Sequence, residues 1–100
     1  MVIVVFEFEP MPEYVDRYFE LAGALRSEVE KIDGFMSVER FESVNTSGRF
    51  VSISTWRDLD AVRAWREFAE HRAAQDESKN VGMFRNYRIR VASVERDYHL

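Results

Sequence analysis

The sequence predicts an α+β fold with its elements in the order β-α-β-β-α-β, and three observations carry that prediction. Residues Val2 to Phe6 form an unbroken apolar run rich in Val and Ile. Tyr14, Tyr18, Leu21, Leu25, Val29 and Ile32 then recur at spacings of 4, 3, 4, 4 and 3, the period of one helix face. Two further β-prone runs flank the small polar join Asn45-Thr46-Ser47-Gly48, which is a hairpin signal.

The first strand is expected over Met1 to Glu9, and its lack of alternation from Val2 to Phe6 predicts cover on both faces. Pro10 and Pro12 close it, and Pro12 suits a first helical position, where its missing N–H is not needed. The helix predicted from Glu13 to Ile32 carries one apolar stripe, with acids early and Lys31 late to suit its dipole. Asp33-Gly34 stops it, Gly34 being free to take the left-handed conformation. Gly23 in mid-helix costs about 1 kcal/mol relative to Ala, so a close neighbour is expected there.

Strands are expected at Phe35 to Val44 and Arg49 to Trp56. In the latter, Val51, Ile53 and Thr55 share one face, and Phe50, Ser52, Ser54 and Trp56 the other. Asp58 reads as an N-cap for a second helix from about Leu59, whose wheel gathers Ala61, Val62, Trp65, Phe68, Ala69 and Arg72. After the polar stretch Gln75 to Asn80, a last strand runs from about Met83 to Val94, followed by a polar tail.

This order is a ferredoxin-like split unit with an antiparallel sheet and both helices on one face. The other face would lie open, although the first strand is apolar on both sides. Pairing two sheets face to face resolves the conflict. The expectation is a homodimer through the sheet face, a dimeric α+β barrel with its helices outside.

Composition removes many functions. A chain of 100 residues buries roughly two-thirds of its unfolded surface, enough for one domain over residues 1–100 around one core. The absence of cysteine excludes disulfides, zinc–thiolate sites, iron–sulfur clusters and thiol catalysis. His71 and His99 are the only histidines, too few for an all-histidine metal cage, and no metal ligand set is expected. With 14 basic against 18 acidic residues, no global field favours nucleic acid. Twelve of the basic residues are Arg, suited to local recognition of a carboxylate or phenolate. The apolar start is too short for a membrane span and lacks a basic lead-in, so neither membrane nor export is expected and a cytoplasmic location is. No Gly-rich phosphate loop occurs, and Ser52 and Ser54 lack the glycines of a nucleophile elbow. Glu67, Glu70 and Glu77 read as a solvated helix face.

Several short stretches, taken in order, resemble the antibiotic biosynthesis monooxygenase (ABM) family of the dimeric α+β barrel superfamily. They are Asp33-Gly34-Phe35, Thr55-Trp56, Ala64-Trp65, Glu70-His71-Arg72-Ala73-Ala74-Gln75, Asn86 to Val91 and Val94 to Tyr98. The resemblance implies a pocket between sheet and helices that takes a small aromatic ligand. In metal-free members a phenolic substrate is deprotonated and its anion reacts with dioxygen, so no cofactor is required. Other members bind and degrade heme, which makes heme an alternative cofactor. A third reading keeps the fold as a dimeric binding or stress-response module without chemistry. The heme-degrading branch is marked by an Asn on its first strand, where this sequence reads Val4-Val5-Phe6-Glu7-Phe8. Members that oxidise quinols carry an Asn one turn before the helix Trp, where Ala61 stands.

The residues carry these roles unevenly. Trp65 matches the helix Trp and would wall the pocket or anchor the core. His71 is the candidate proton acceptor or heme ligand, against a plain helix-end histidine. Six residues separate it from Trp65, which places the two about 120° apart on an ideal helix. Phe68 and Trp56 are candidate ligand contacts, Trp56 with packing as its stronger claim. Tyr87 could donate a hydrogen bond to a substrate oxygen or pack in the core. Arg88 and Arg90 could hold a substrate anion, or pair across the dimer with Glu39 or Glu42.

Overall fold

The computed structural model describes residues 1–75 and 82–100, with side chains in the second helix described as far as Glu70. Strand β1 (Val2–Pro10) leads through a 3₁₀ turn (Pro12–Tyr14) into helix α1 (Val15–Glu30). Strands β2 (Phe35–Glu42) and β3 (Phe50–Trp56) follow, then helix α2 (Leu59–Gln75) and strand β4 (Phe84–Ser93). The four strands form one antiparallel sheet in the order β2-β3-β1-β4. The expected ferredoxin-like order is therefore the observed one.

Local chemistry explains the boundaries. Pro12 initiates the 3₁₀ turn, so the regular helix starts two residues later than Glu13. Past Glu30 the chain tightens: Lys31 and Ile32 donate to the carbonyls of Glu28 and Val29 at 3.2 and 3.1 Å. Gly34 then takes φ +95°, and a Cβ there would stand 2.8 Å from the Ala61 Cβ. Both backbone sign and space thus require glycine. Gly23 differs from expectation, because nothing lies within 4 Å of a Cβ at that position.

Strand β2 stops at Glu42, so Val44 leaves the strand and is fully exposed in the turn. The Ser43 hydroxyl causes this by accepting the N–H groups of Asn45 and Thr46 at 3.2 and 3.0 Å. The Glu42 carboxylate accepts the Gly48 N–H at 3.1 Å and closes the loop. Asp58 caps α2 as expected, accepting the Ala61 N–H at 2.9 Å.

Register fixes the two faces of the sheet. Val2, Val4, Phe6 and Phe8 of β1 lie beside Trp56, Ser54, Ser52 and Phe50 of β3, and all face the helices. On that side Val29, Trp56 and Ala61 form a buried cluster joined by Val4, Ile32, Phe35, Val62 and Trp65. Next to it Phe8 stacks on Phe6 and Phe50 and meets Tyr18 of α1 at 4.6 Å between ring centroids. The opposite face carries Ile3, Val5 and Glu7 from β1 and Val51, Ile53 and Thr55 from β3. Among the described residues no helix lies over it, and Ile53 and Phe41 stand exposed there. The unalternating first strand is thus apolar toward the helices along its length and apolar on the open face through Val5.

Candidate functional site

Among the described residues the helix side of β4 is largely exposed. Tyr87, Ile89 and Val91 lie beside Phe8, Phe6 and Val4 in register and point the same way, yet are 63%, 55% and 47% exposed. On the same side of the sheet α2 packs against β3. There Trp65 and Phe68 stack at 5.5 Å between centroids with their planes 21° apart, one helical turn joining them. Val4 connects the two walls, since it packs with the cluster holding Trp65 and lies beside Val91 in the sheet. Phe6 and Phe84 continue the lining, at 6.1 and 5.9 Å from the Tyr87 ring. The helix side thus presents an aromatic, apolar set of residues on α2, β1 and β4.

Polar groups reach this side sparingly. The Tyr18 hydroxyl sits under α1, where burial pushes its pKa up and the neighbouring Arg40 guanidinium draws it partly back. Arg40 Nε is buried without a hydrogen-bond partner. Ser52, its register neighbour, is buried as well. None of these three was singled out by sequence, because which residues meet under α1 depends on register.

The predicted residues separate into distinct places. Trp65, Phe68 and Tyr87 line the helix side. Trp56 is 1% exposed, lies edge-on to Phe35, and its indole N–H donates to the Ser54 hydroxyl at 2.8 Å. Its one polar atom is already used, so it anchors the core beneath α2. His71 falls within α2, but its side chain lies outside the described residues, as does that of Arg72. His99 is in the exposed tail, its Nδ1 3.4 Å from the Leu100 carbonyl oxygen.

Arg88 belongs to the other face of the sheet, as adjacent strand residues must. There it donates to Glu7 at 3.0 Å, while Arg90 and Arg49 reach the same carboxylate at 2.8 and 3.3 Å. Partial burial acts to raise the Glu7 pKa, but the bonds and charges of Arg88 and Arg90 outweigh it and hold it low. One carboxylate thus gathers three guanidiniums within the chain. Glu42, a suggested partner, lies level with Phe50 on the helix side and serves its own turn. Sequence missed Glu7 as a hub; the signal available was a carboxylate interrupting an apolar strand with arginines elsewhere at alternate positions.

A shallow depression lies at the sheet end between Met1, Val2, Val94 and the Arg57–Asp60 segment, next to Trp56 in the chain and in register. Arg57 there is paired with Asp33 and Asp58, which raise its pKa further. Among the described residues no group of three potential metal ligands occurs, and no helix is long and apolar enough to cross a membrane. Val4 and Phe6 stand on the helix side of β1, which offers no amide side chain to a heme there, and the His71 side chain lies outside the described residues.

One antiparallel sheet with both helices on one face defines a ferredoxin-like α+β protein. Residues 1–77 match the antibiotic biosynthesis monooxygenase family, and the chain belongs to it. Over 94 residues it is 37% identical to the jasmonate monooxygenase ABM of Pyricularia oryzae, covering 94% of this chain but 43% of that longer protein. A solved structure from Deinococcus radiodurans, described as an ABM-type protein, superposes with TM-score 0.80 at 17% identity over 100% of this chain and 98% of that one. Two others superpose at full-fold level. The cofactor-independent oxygenase SnoaB of Streptomyces nogalater gives 0.74 at 14% identity, covering 96% of this chain and 94% of that one. MhuD, solved with manganese protoporphyrin IX, gives 0.76 at 16% identity over 99% of each chain. At such identities the structural likenesses establish the fold alone.

Proposed function

We propose that this chain is a cytoplasmic, homodimeric monooxygenase that oxidises a flat aromatic, polyketide or quinone-like molecule with dioxygen and without a protein-bound metal. The observation that carries this reading is the exposed strip Tyr87-Ile89-Val91 on the helix side of the sheet, where α2 bears the Trp65–Phe68 stack, in a chain of the monooxygenase family. Apolar walls exclude water and hold a planar ring; a carbanion or phenolate formed there is poorly solvated and electron-rich. In the proposed reaction a base removes a proton from an activated CH₂ and the resulting carbanion carbon bonds to dioxygen. The peroxide then loses water as its O–O bond breaks, leaving C=O: CH₂ + O₂ → C=O + H₂O. Trp65 and Phe68 hold the ring, Tyr87 donates a hydrogen bond to its oxygen, and His71 takes the proton. Arg88 has no part in this cleft, because it lies across the sheet.

The test is oxygen uptake with a panel of anthrones and hydroquinones, with jasmonate included because a relative is named for it. Oxygen-dependent product with one class, reduced at least tenfold by Trp65→Ala, is expected. No turnover from the folded protein across the panel sinks the proposal. Heme titration separates the alternative: no Soret band beyond that of free heme is expected.

A further inference from the structure

The helix side of the sheet carries a cation without a counter-ion, and what that cation takes narrows the substrate class of the proposed function, on which this inference rests. Register places Arg40, Ser52, Phe6 and Ile89 level with one another across β2, β3, β1 and β4, all toward the helices. One end of this rung is apolar: Ile89 is exposed, and the Phe6 ring beside it meets those of Phe84 and Tyr87. The other end is polar, with the buried Ser52 and then Arg40, whose guanidinium neighbours the Tyr18 hydroxyl of α1. Tyr18 links the two ends, because its ring lies 5.6 Å from that of Phe84. Strands about 4.8 Å apart put about 10 Å between the Phe6 and Arg40 backbones, within the combined reach of a ring-borne acid group and an arginine side chain.

Arg40 lacks what a guanidinium in such a place ordinarily has. Its Nε is shut off from solvent and makes no hydrogen bond. Among the described residues no carboxylate pairs with it. Glu42, two residues along β2 on the same face, is bonded to the Gly48 N–H, while Glu7 and Glu39 belong to the opposite face. A buried donor without an acceptor is costly, and more so on a charged group, so the arrangement calls for an acceptor from outside the chain. The planar fork of a guanidinium matches the two oxygens of a carboxylate, and the Ser52 and Tyr18 hydroxyls add donors beside it. An arginine is charged at every working pH, so its partner is a permanent anion rather than a charge that forms only during reaction. We propose that Arg40, with Ser52 and Tyr18, binds a carboxylate of the substrate, which makes that substrate a flat ring acid lying with its ring toward Phe6 and Ile89. The sequence points to Arg88 and Arg90 for a substrate anion, but register sends both across the sheet to Glu7.

The experiment titrates 2-naphthoate and 2-naphthamide, alike in shape and different in charge, into the full chain by calorimetry at neutral pH. Naphthoate is expected to bind at least tenfold more tightly than naphthamide. Arg40→Met keeps an unbranched side chain but removes the fork, and should bring naphthoate down to the naphthamide level. Equal affinity of the wild-type chain for the two probes overturns the carboxylate site while leaving the aromatic reading of the helix side standing. A naphthoate preference that survives Arg40→Met, in protein folded by circular dichroism, does the same. Should Arg40→Met not fold, Tyr18→Phe decides: it should reduce the preference, and an unchanged preference overturns the proposal. Binding of neither probe by the folded wild-type chain overturns both the carboxylate site and the aromatic cleft it extends.

Discussion

Single residues set limits that the fold cannot relax. Trp56 fills the space between β3 and α2 and is 1% exposed, so Trp56→Ala removes a large volume that neighbouring rings cannot refill. Loss of about 3–5 kcal/mol is expected, read from urea unfolding by circular dichroism. At Gly34 two separate costs coincide, a left-handed φ of +95° and a Cβ 2.8 Å from Ala61. Gly34→Ala should therefore destabilise by more than about 1 kcal/mol. Gly23 gives the opposite sign, since its position in α1 is helical and open. Gly23→Ala should stabilise by about 0.5–1 kcal/mol, and a loss of stability on the same urea curve would reveal a contact at that site. Both glycines look alike in sequence; only one is held by its surroundings.

Strands and helices bring side chains together by register, and the consequences appear on β4 and β1. Ile89 is exposed and belongs to the proposed cleft, so Ile89→Glu should leave unfolding free energy within about 0.5 kcal/mol. It should nonetheless abolish binding of planar ligands followed by Trp fluorescence. A large fall in stability would mean that the strip is core rather than cleft. On the other face Glu7 has its pKa lowered by Arg88 and Arg90. A depressed carboxylate stabilises the fold above its unfolded pKa, and this contribution is lost as pH falls through the lower folded value. Asp58, held low by the Ala61 N–H and by Arg57, acts in the same direction. Wild-type protein should thus lose stability on acidification below the carboxylate range. Glu7→Gln should be less stable at neutral pH and converge toward wild type in acid, as pH-dependent urea curves can read.

At the scale of the whole molecule, the sheet divides the chain's duties. The helix face holds the core and the proposed ligand cleft, and the open face holds apolar residues framed by charge. The sequence by itself determined the element order, the hairpin, the Asp58 cap, the Gly34 stop and the family, because each is written in nearby residues. Helical and strand periods need no distant partner, and a turn is decided by four or five side chains. It also identified Trp65, Phe68 and Tyr87 as candidates, and its alternation of Tyr87 with Arg88 implied opposite faces. The tertiary structure decided which of those faces meets the helices and that Trp56 is spent as an anchor. It also decided that Glu7 collects Arg49, Arg88 and Arg90. Those facts depend on pairing between β1 and β4, some eighty residues apart, where shifting the register by one residue would exchange every side chain between the faces.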